Sequence, residues 1–386
     1  MQSSLENLLV YENLAFSTPR PSGSYESSGD NDEFIKATAR APFDFYDKRG
    51  YSTSLNVGLF GDPSWPRMLL FVHGVCESAE SWTVQNLARI CASRNWRMAV
   101  LELEGHGLSQ GTRGVIGNSW SRSIEQVKQF CKHALGIDRA QKQAILGGDF
   151  NQDGRHSQFV LAGASLGGAL AAYASADLLK EAEWNLSFAG TLLLFPAVGV
   201  DPAVVPPSFI VACLSALAFF VPSVGIEGAT PTEDPSHYNC PPWTDRNFSG
   251  PWPLGTSKLL LDITSKRVPS NLESGRLNLL QQRTTKGTTL RHSILVISGD
   301  KDQVVPIQSV RNFIDCMKAR VDVTKNISTS KQTRIEILEI KKGDHGLLAQ
   351  STDDPNIGKT QKKTTQMTID HVNAFLKMLE GEIENF

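Results

Sequence analysis

The segment from Phe159 to Leu170, FVLAGASLGGAL, sets a single serine between an apolar run and an alanine-rich stretch. Phe159, Val160 and Leu161 have the composition of a short buried strand and Leu166 to Lys180 that of a helix, so Ser165 falls at the joint. A nucleophilic hydroxyl must project from a sharp strand-to-helix turn, where the strained backbone leaves room only for small neighbours. Gly163, Gly167 and Gly168 supply them. The chemistry such a joint serves is acyl transfer. The serine attacks a carbonyl carbon, and the N–H of Leu166, at the start of the helix, points toward the developing oxyanion with the helix dipole in support.

The remaining parts of such a site can be sought in order along the chain. A second oxyanion donor is expected where the apolar strand RMLLFVHG ends at His73-Gly74, since the following loop can present the Val75 N–H opposite that of Leu166. Sites built on this kind of turn place the serine first, then an acid, then a histidine, which leaves His345 and His371 as bases. His371 lies in TIDHVNAFLKMLE, where Ile369, Val372, Phe375, Leu376 and Leu379 repeat at helical spacing, so it reads as a helix histidine. His345 lies in KKGDHGLL, a glycine-flanked loop after a strand, from which an imidazole can reach a serine across the sheet edge. His345 is therefore the expected base. For the orienting acid, SILVISGDKDQVVP offers Asp300 and Asp302, which turn geometry alone does not separate; the other could cap the turn or the next helix. His73 and His106 precede the serine and read as structural hydrogen-bonding residues of glycine-rich strand exits.

An α/β architecture is needed to position these groups, and the rest of the chain has its pattern. Strand-like runs STSLNVGLF, RMLLFVHG, RMAVLELEG, SQFVLAGAS, GTLLLFPAV, SILVISGD and RIEILEIKK alternate with amphipathic helical segments at 81–95, 119–135, 166–180, 307–319 and 365–382. The organisation predicted is an N-terminal extension over 1–40, disordered in its Ser-, Gly- and Pro-rich part, a first core segment over 41–198, an inserted cap over 199–285 and a second core segment over 286–386. Polar insertions after Ile145 and Val323 read as surface loops, and there is no internal repeat.

The cap interrupts the strand-helix rhythm with FIVACLSALAFFV and then the Pro- and Trp-rich NCPPWTDRNFSGPWPLG. The apolar run Phe209–Val221, bounded by Pro207 and Pro222, is shorter than the roughly 20 residues that span a bilayer. Its large apolar side chains surround much of one short helix. Phe209, Leu217, Phe219 and Phe220 are expected to bind an acyl chain, lining a channel and touching a lipid surface, against the alternative of a helix buried all round within the cap.

Composition narrows the partners. A formal net charge of −2 over 386 residues has no electrostatic footprint for nucleic acid. The 6 cysteines contain no CxxC pair, so neither a zinc site nor a disulfide framework is expected, and no metal or organic cofactor is implied. The first residues lack a basic start and long apolar run, which predicts a cytoplasmic location, with peripheral membrane contact expected only through the cap. Sequon-like triplets at Asn185, Asn247 and Asn326 are then chance matches.

Taken together, FVHGVCESAESW, LELEGHGLSQG, LAGASLGG, GDKDQVVP and GDHGLL occur in the order and spacing of the α/β-hydrolase superfamily, and the combination resembles its monoacylglycerol lipase or lysophospholipase-like branch over residues 45 to 382. The resemblance implies an eight-stranded, mostly parallel sheet with a cap inserted after the sixth strand, and a serine esterase acting on lipid esters without a cofactor. It also selects Asp302 over Asp300 as the acid. The chain departs from the branch at Ala164, where a histidine is usual before the serine, and in VCESAES, where Glu-His-Ser is more usual. Expected partners are a lipid ester and, through the cap, a membrane or lipid-droplet surface. An acyltransferase or a short-chain carboxylesterase could use the same groups, and a receptor or scaffold without turnover is the alternative of another class.

Overall fold

Unbroken apolar runs become strands covered on both faces. The structure, a computed structural model, describes residues 37–116, 119–146, 158–181, 187–200, 205–225, 252–279, 283–285, 288–290, 292–323, 334–349 and 358–384. The predicted N-terminal tail, most of both polar insertions, the three sequon-like sites and most of the Pro- and Trp-rich stretch lie outside these residues.

In chain order the strands are β1 (Ala39–Arg40), β2 (Phe43–Tyr46), β3 (Ser52–Leu55), β4 (Val57–Phe60), β5 (Arg67–Val72), β6 (Trp96–Leu101), β7 (Gln158–Ala164), β8 (Phe188–Leu194), β9 (Arg283–Thr285), β10 (Thr288–Leu290), β11 (Ser293–Gly299) and β12 (Arg334–Ile340). The helices are α1 (Trp82–Ser93), α2 (Trp120–Leu146), α3 (Leu166–Leu178), α4 (Ser208–Phe220), α5 (Leu254–Asp262), α6 (Val268–Glu273), α7 (Ile307–Val323) and α8 (Lys359–Glu384), with a π turn joining α5 to α6. An 8-stranded sheet runs in the order β1-β4-β6-β5-β7-β8-β11-β12. From β6 to β12 every pairing is parallel, while β4 runs antiparallel to both β1 and β6.

The run STSLNVGLF, expected as one strand, is two. It breaks at Asn56, whose N–H donates to Ser109 Oγ at 2.8 Å and whose Nδ2 donates to Glu102 Oε2 at 2.7 Å. β3 folds back on β2 as a hairpin, and β4 alone enters the main sheet. Helix α2 also outruns its predicted end near Leu135. Past Gly136 it carries Asp138, which accepts from the buried guanidinium of Arg97 on β6 at 2.6 Å, a tertiary contact that local pattern does not reveal.

Alternating strand residues feed two cores. Met68, Leu70 and Val72 of β5 pack with α2, α3 and α7 on one face, and Leu69 and Phe71 pack with α1 and α8 on the other. The strands end together at their carboxyl edge, with Val72 beside Gly163 and Ala164 beside Leu194. Loops after β5, β7, β8, β11 and β12 therefore meet over one edge, where ligands bind in open α/β sheets.

Between β8 and β11 lie α4, α5, α6 and the β9–β10 hairpin. Thr256 Oγ1 of α5 donates to Gly114 O at 2.6 Å and accepts the Ile116 N–H at 3.1 Å, and Asn271 Nδ2 of α6 donates to Tyr173 Oη of α3 at 2.8 Å. These bonds seat the insertion on the core. Among the described residues no helix is long and apolar enough to cross a membrane.

Candidate active site

Ser165 caps the joint between β7 and α3 with φ 51° and ψ −119°, a strained conformation for a residue with a side chain. Close packing enforces it: a Cβ at Gly163 would lie 2.2 Å from Gly167 O, and one at Gly167 would lie 2.1 Å from Val72 O. Only glycine fits at either place. The Ser165 N–H donates to Leu194 O at 2.9 Å, and its carbonyl accepts from Ala197 N at 2.8 Å, tying the turn to the end of β8.

The loop after β12 brings His345 to this turn. Its Nε2 lies 2.9 Å from Ser165 Oγ, and its Nδ1 lies 2.8 Å from Asp302 Oδ2. An ionised Asp302 only accepts, so the imidazole carries its proton on Nδ1 and presents Nε2 as acceptor for the serine hydroxyl. The other Asp302 oxygen, Oδ1, accepts from the N–H groups of Val304 and Val305 at 2.9 and 2.8 Å. The carboxylate is wholly buried and the imidazole nearly so.

The structure thus brings together Ser165, Asp302 and His345. Asp300 faces the other way, accepting from Lys342 N at 2.5 Å, where it caps the turn leading toward His345. His371 donates from Nδ1 to Met367 O at 2.7 Å, within α8. Val75 follows Gly74 in the loop after β5, and Leu166 begins α3, whose first N–H groups have no intrahelical acceptor.

His73 and His106 act on the backbone. His73 Nδ1 donates to Gly74 O at 2.6 Å and Nε2 accepts the Leu103 N–H at 3.0 Å. Burial, with the nearby His106 adding to it, pushes the His73 imidazole down to about 3, so it stays neutral.

Two residues of the site were not singled out from sequence. Phe195, with φ 37° at the end of β8, sets its ring edge-on to the His345 imidazole with centroids 4.9 Å apart. Glu77 accepts the Gly74 N–H at 2.8 Å. The acid three residues after His73-Gly74 was the available signal for Glu77, whereas nothing in LLLFP marks Phe195 as more than core.

The apolar helix α4 carries the four residues expected to meet lipid. Phe209, Leu217, Phe219 and Phe220 are 69%, 51%, 79% and 76% exposed, and only Ala218 of α4 is buried. Among the described residues, the four side chains stand at the surface. Among the described elements α4 packs mainly on α5, and the segment after it is tied to α5 by Leu254 N to Val224 O at 2.8 Å and Gly255 N to Pro222 O at 2.9 Å. Among the described residues no group of three or more His, Cys, Asp or Glu side chains could hold a metal ion.

Sheet order, strand-to-helix serine turn and the Ser-His-Asp contacts define the class: the chain has the α/β-hydrolase fold, with Ser165, His345 and Asp302 in mutual contact at its carboxyl edge. Residues 66–241 match the family model described as serine aminopeptidase, S33. No curated protein matches in sequence. In fold the chain is similar to two monoacylglycerol lipases and a carboxylesterase. A soluble variant of monoglyceride lipase from Saccharomyces cerevisiae, in complex with a substrate analog, aligns with TM-score 0.58 and 11% identity over 90% of this chain and 97% of the other. The monoacylglycerol lipase of Paleococcus ferrophilus aligns with TM-score 0.51 and 18% identity over 83% and 98%. A carboxylesterase structure from Nitrososphaera gargenis aligns with TM-score 0.50 and 12% identity over 88% and 99%.

Proposed function

We propose that this protein is a serine ester hydrolase acting on lipid esters of the monoacylglycerol or lysophospholipid type. The observation that carries the chemistry is the continuous path Asp302–His345–Ser165, with contacts of 2.8 and 2.9 Å. Ser165 Oγ attacks the ester carbonyl while His345 Nε2 takes its proton, and Asp302 holds the imidazole and stabilises the imidazolium. The N–H groups of Val75 and Leu166 receive the oxyanion. Collapse of the tetrahedral intermediate expels the alcohol, protonated by His345, and leaves Ser165 acylated. Water, deprotonated by His345, then releases the fatty acid.

The lipid assignment rests on the exposed apolar face of α4 within the insertion read as a cap over 199–285, and on the fold shared with two monoacylglycerol lipases. We assign Phe209, Leu217, Phe219 and Phe220 to contact with a lipid surface from which substrate enters.

The test combines a fluorophosphonate probe with turnover of monoacylglycerols, lysophospholipids and short aryl esters. Labelling of the wild type, lost in Ser165→Ala together with at least about 10³-fold of the turnover, is expected. A silent Ser165 with tight lipid binding would assign a receptor instead, and turnover confined to short aryl esters would overturn the lipid assignment.

A further inference from the structure

The loop that carries Val75 is held against its own backbone preference. Cys76 sits at φ 61°, a left-handed value that a residue with a side chain keeps only when its surroundings over-determine it. Three side chains do so. His73 grips Gly74 O from one side, and His106 Nε2 accepts the Cys76 N–H at 3.3 Å. Glu77 closes the loop on itself: Oε2 accepts the Gly74 N–H at 2.8 Å, and Oε1 accepts the hydroxyl of Thr83, in the first turn of α1, at 2.5 Å.

Glu77 differs from the histidines in its place. A Cβ built at Gly74 would lie 3.2 Å from Glu77 Oε2 and 3.3 Å from Ser165 Cβ, so carboxylate and serine flank the same glycine. Its carboxyl is pushed above the ordinary range, chiefly by burial, while the two hydrogen bonds and the His345 imidazole draw it down. No step of the acyl transfer above uses this group.

We propose that Glu77 is a positioning residue for that reaction: anchored to α1 through Thr83, it clamps the Gly74 amide and so fixes the Val75 N–H where the oxyanion forms. The inference rests on the assignment of Ser165 as nucleophile. Without the clamp, the 74–77 backbone is released from one of its three holds and relaxes toward ordinary angles. A reacting group displaced by about 1 Å costs on the order of 10²-fold in rate, and loss of one oxyanion donor costs about 10² to 10³.

The experiment uses the full chain as wild type, Glu77→Ala, Glu77→Gln, Thr83→Val and Ser165→Ala. Active sites are titrated to completion with a fluorophosphonate. kcat and KM are then measured on p-nitrophenyl butyrate, and Ki on an alkyl trifluoromethyl ketone, whose hemiketal places an oxyanion in the same hole. Glu77→Ala should lose about 10²-fold in kcat per titrated site with KM within about twofold, and Ki should rise by the same factor as kcat/KM falls. Glu77→Gln, which keeps an acceptor for Gly74, should restore most of the loss, and Thr83→Val should fall between. If Glu77→Ala lowers only the titrated fraction or the Tm, or raises KM at constant kcat, the proposal is overturned. Should Glu77→Ala not fold, Thr83→Val decides by the same parallel change of Ki and kcat/KM, and its absence overturns the clamp. Turnover retained by Ser165→Ala removes the nucleophile assignment itself, whereas loss there with an unaffected Glu77→Ala removes the clamp alone.

Discussion

Asp302 and His345, separated by 43 positions in the chain, meet at 2.8 Å because they leave the carboxyl ends of two adjacent parallel strands, β11 and β12. Asp300, two residues away in the same turn, is held outward by the Lys342 N–H. Asp302→Asn should therefore reduce kcat on an aryl ester by on the order of 10⁴, the size the equivalent change has in serine proteases. Asp300→Asn should cost less than about tenfold, as a turn cap. Equal losses in the two variants would refute the division of roles.

The serine turn depends on space as much as on chemistry. Gly167→Ala would drive a Cβ to 2.1 Å from Val72 O and 2.4 Å from His73 O, both backbone atoms, so we expect destabilisation of about 3 kcal/mol or more in urea unfolding. Gly136→Ala, exposed within α2 with nothing within 4 Å, should instead stabilise by about 0.5 to 1 kcal/mol. A tolerated Gly167→Ala would show that the turn can relax and that its close packing is not required.

The double variant Phe219→Ser/Phe220→Ser removes two of the most exposed apolar side chains of α4. Each phenyl group transferred from water to an apolar phase contributes about 1.5 to 3 kcal/mol. Cosedimentation with liposomes and hydrolysis of a long-chain monoacylglycerol in vesicles should each fall at least about tenfold, with Tm and p-nitrophenyl butyrate hydrolysis unchanged. Parallel loss on both esters would count against a surface role.

His73 makes stability depend on pH. Its folded value lies at about 3 against 6.5 for a free imidazole, so between those values the unfolded chain binds a proton that the folded one does not. Stability is then full above about 6.5 and falls as pH drops through that window, by about 1.4 kcal/mol per unit from this group. Glu77, raised by burial, acts in the opposite sense but is common to wild type and variant. His73→Asn should flatten the slope of unfolding free energy between pH 6.5 and 5. An unchanged slope would mean that His73 is solvated or protonated in the folded protein.

Local pattern alone determined most of the strands that build the sheet, the serine turn and the loop that carries His345. Each of these is encoded by neighbours in sequence: the unbroken apolar run from Met68 to Val72, the small residues around Ser165, the glycines flanking His345. The family pattern, not turn geometry, selected Asp302 from sequence. Only the tertiary structure supplied a physical reason, because both aspartates occupy one turn and what separates them is which loop packs beside each: the amides of Val304 and Val305 orient one carboxylate toward His345, and the 340–343 turn captures the other. The break at Asn56, the ring of Phe195 against His345 and the clamp of Glu77 on Gly74 were likewise settled by partners far along the chain or by backbone angles that residue type does not announce. The same holds for α4, whose apolar composition fits either a buried or an exposed helix. Its large side chains stand exposed among the described residues, and hydrophobicity records a preference for burial without naming what will provide it.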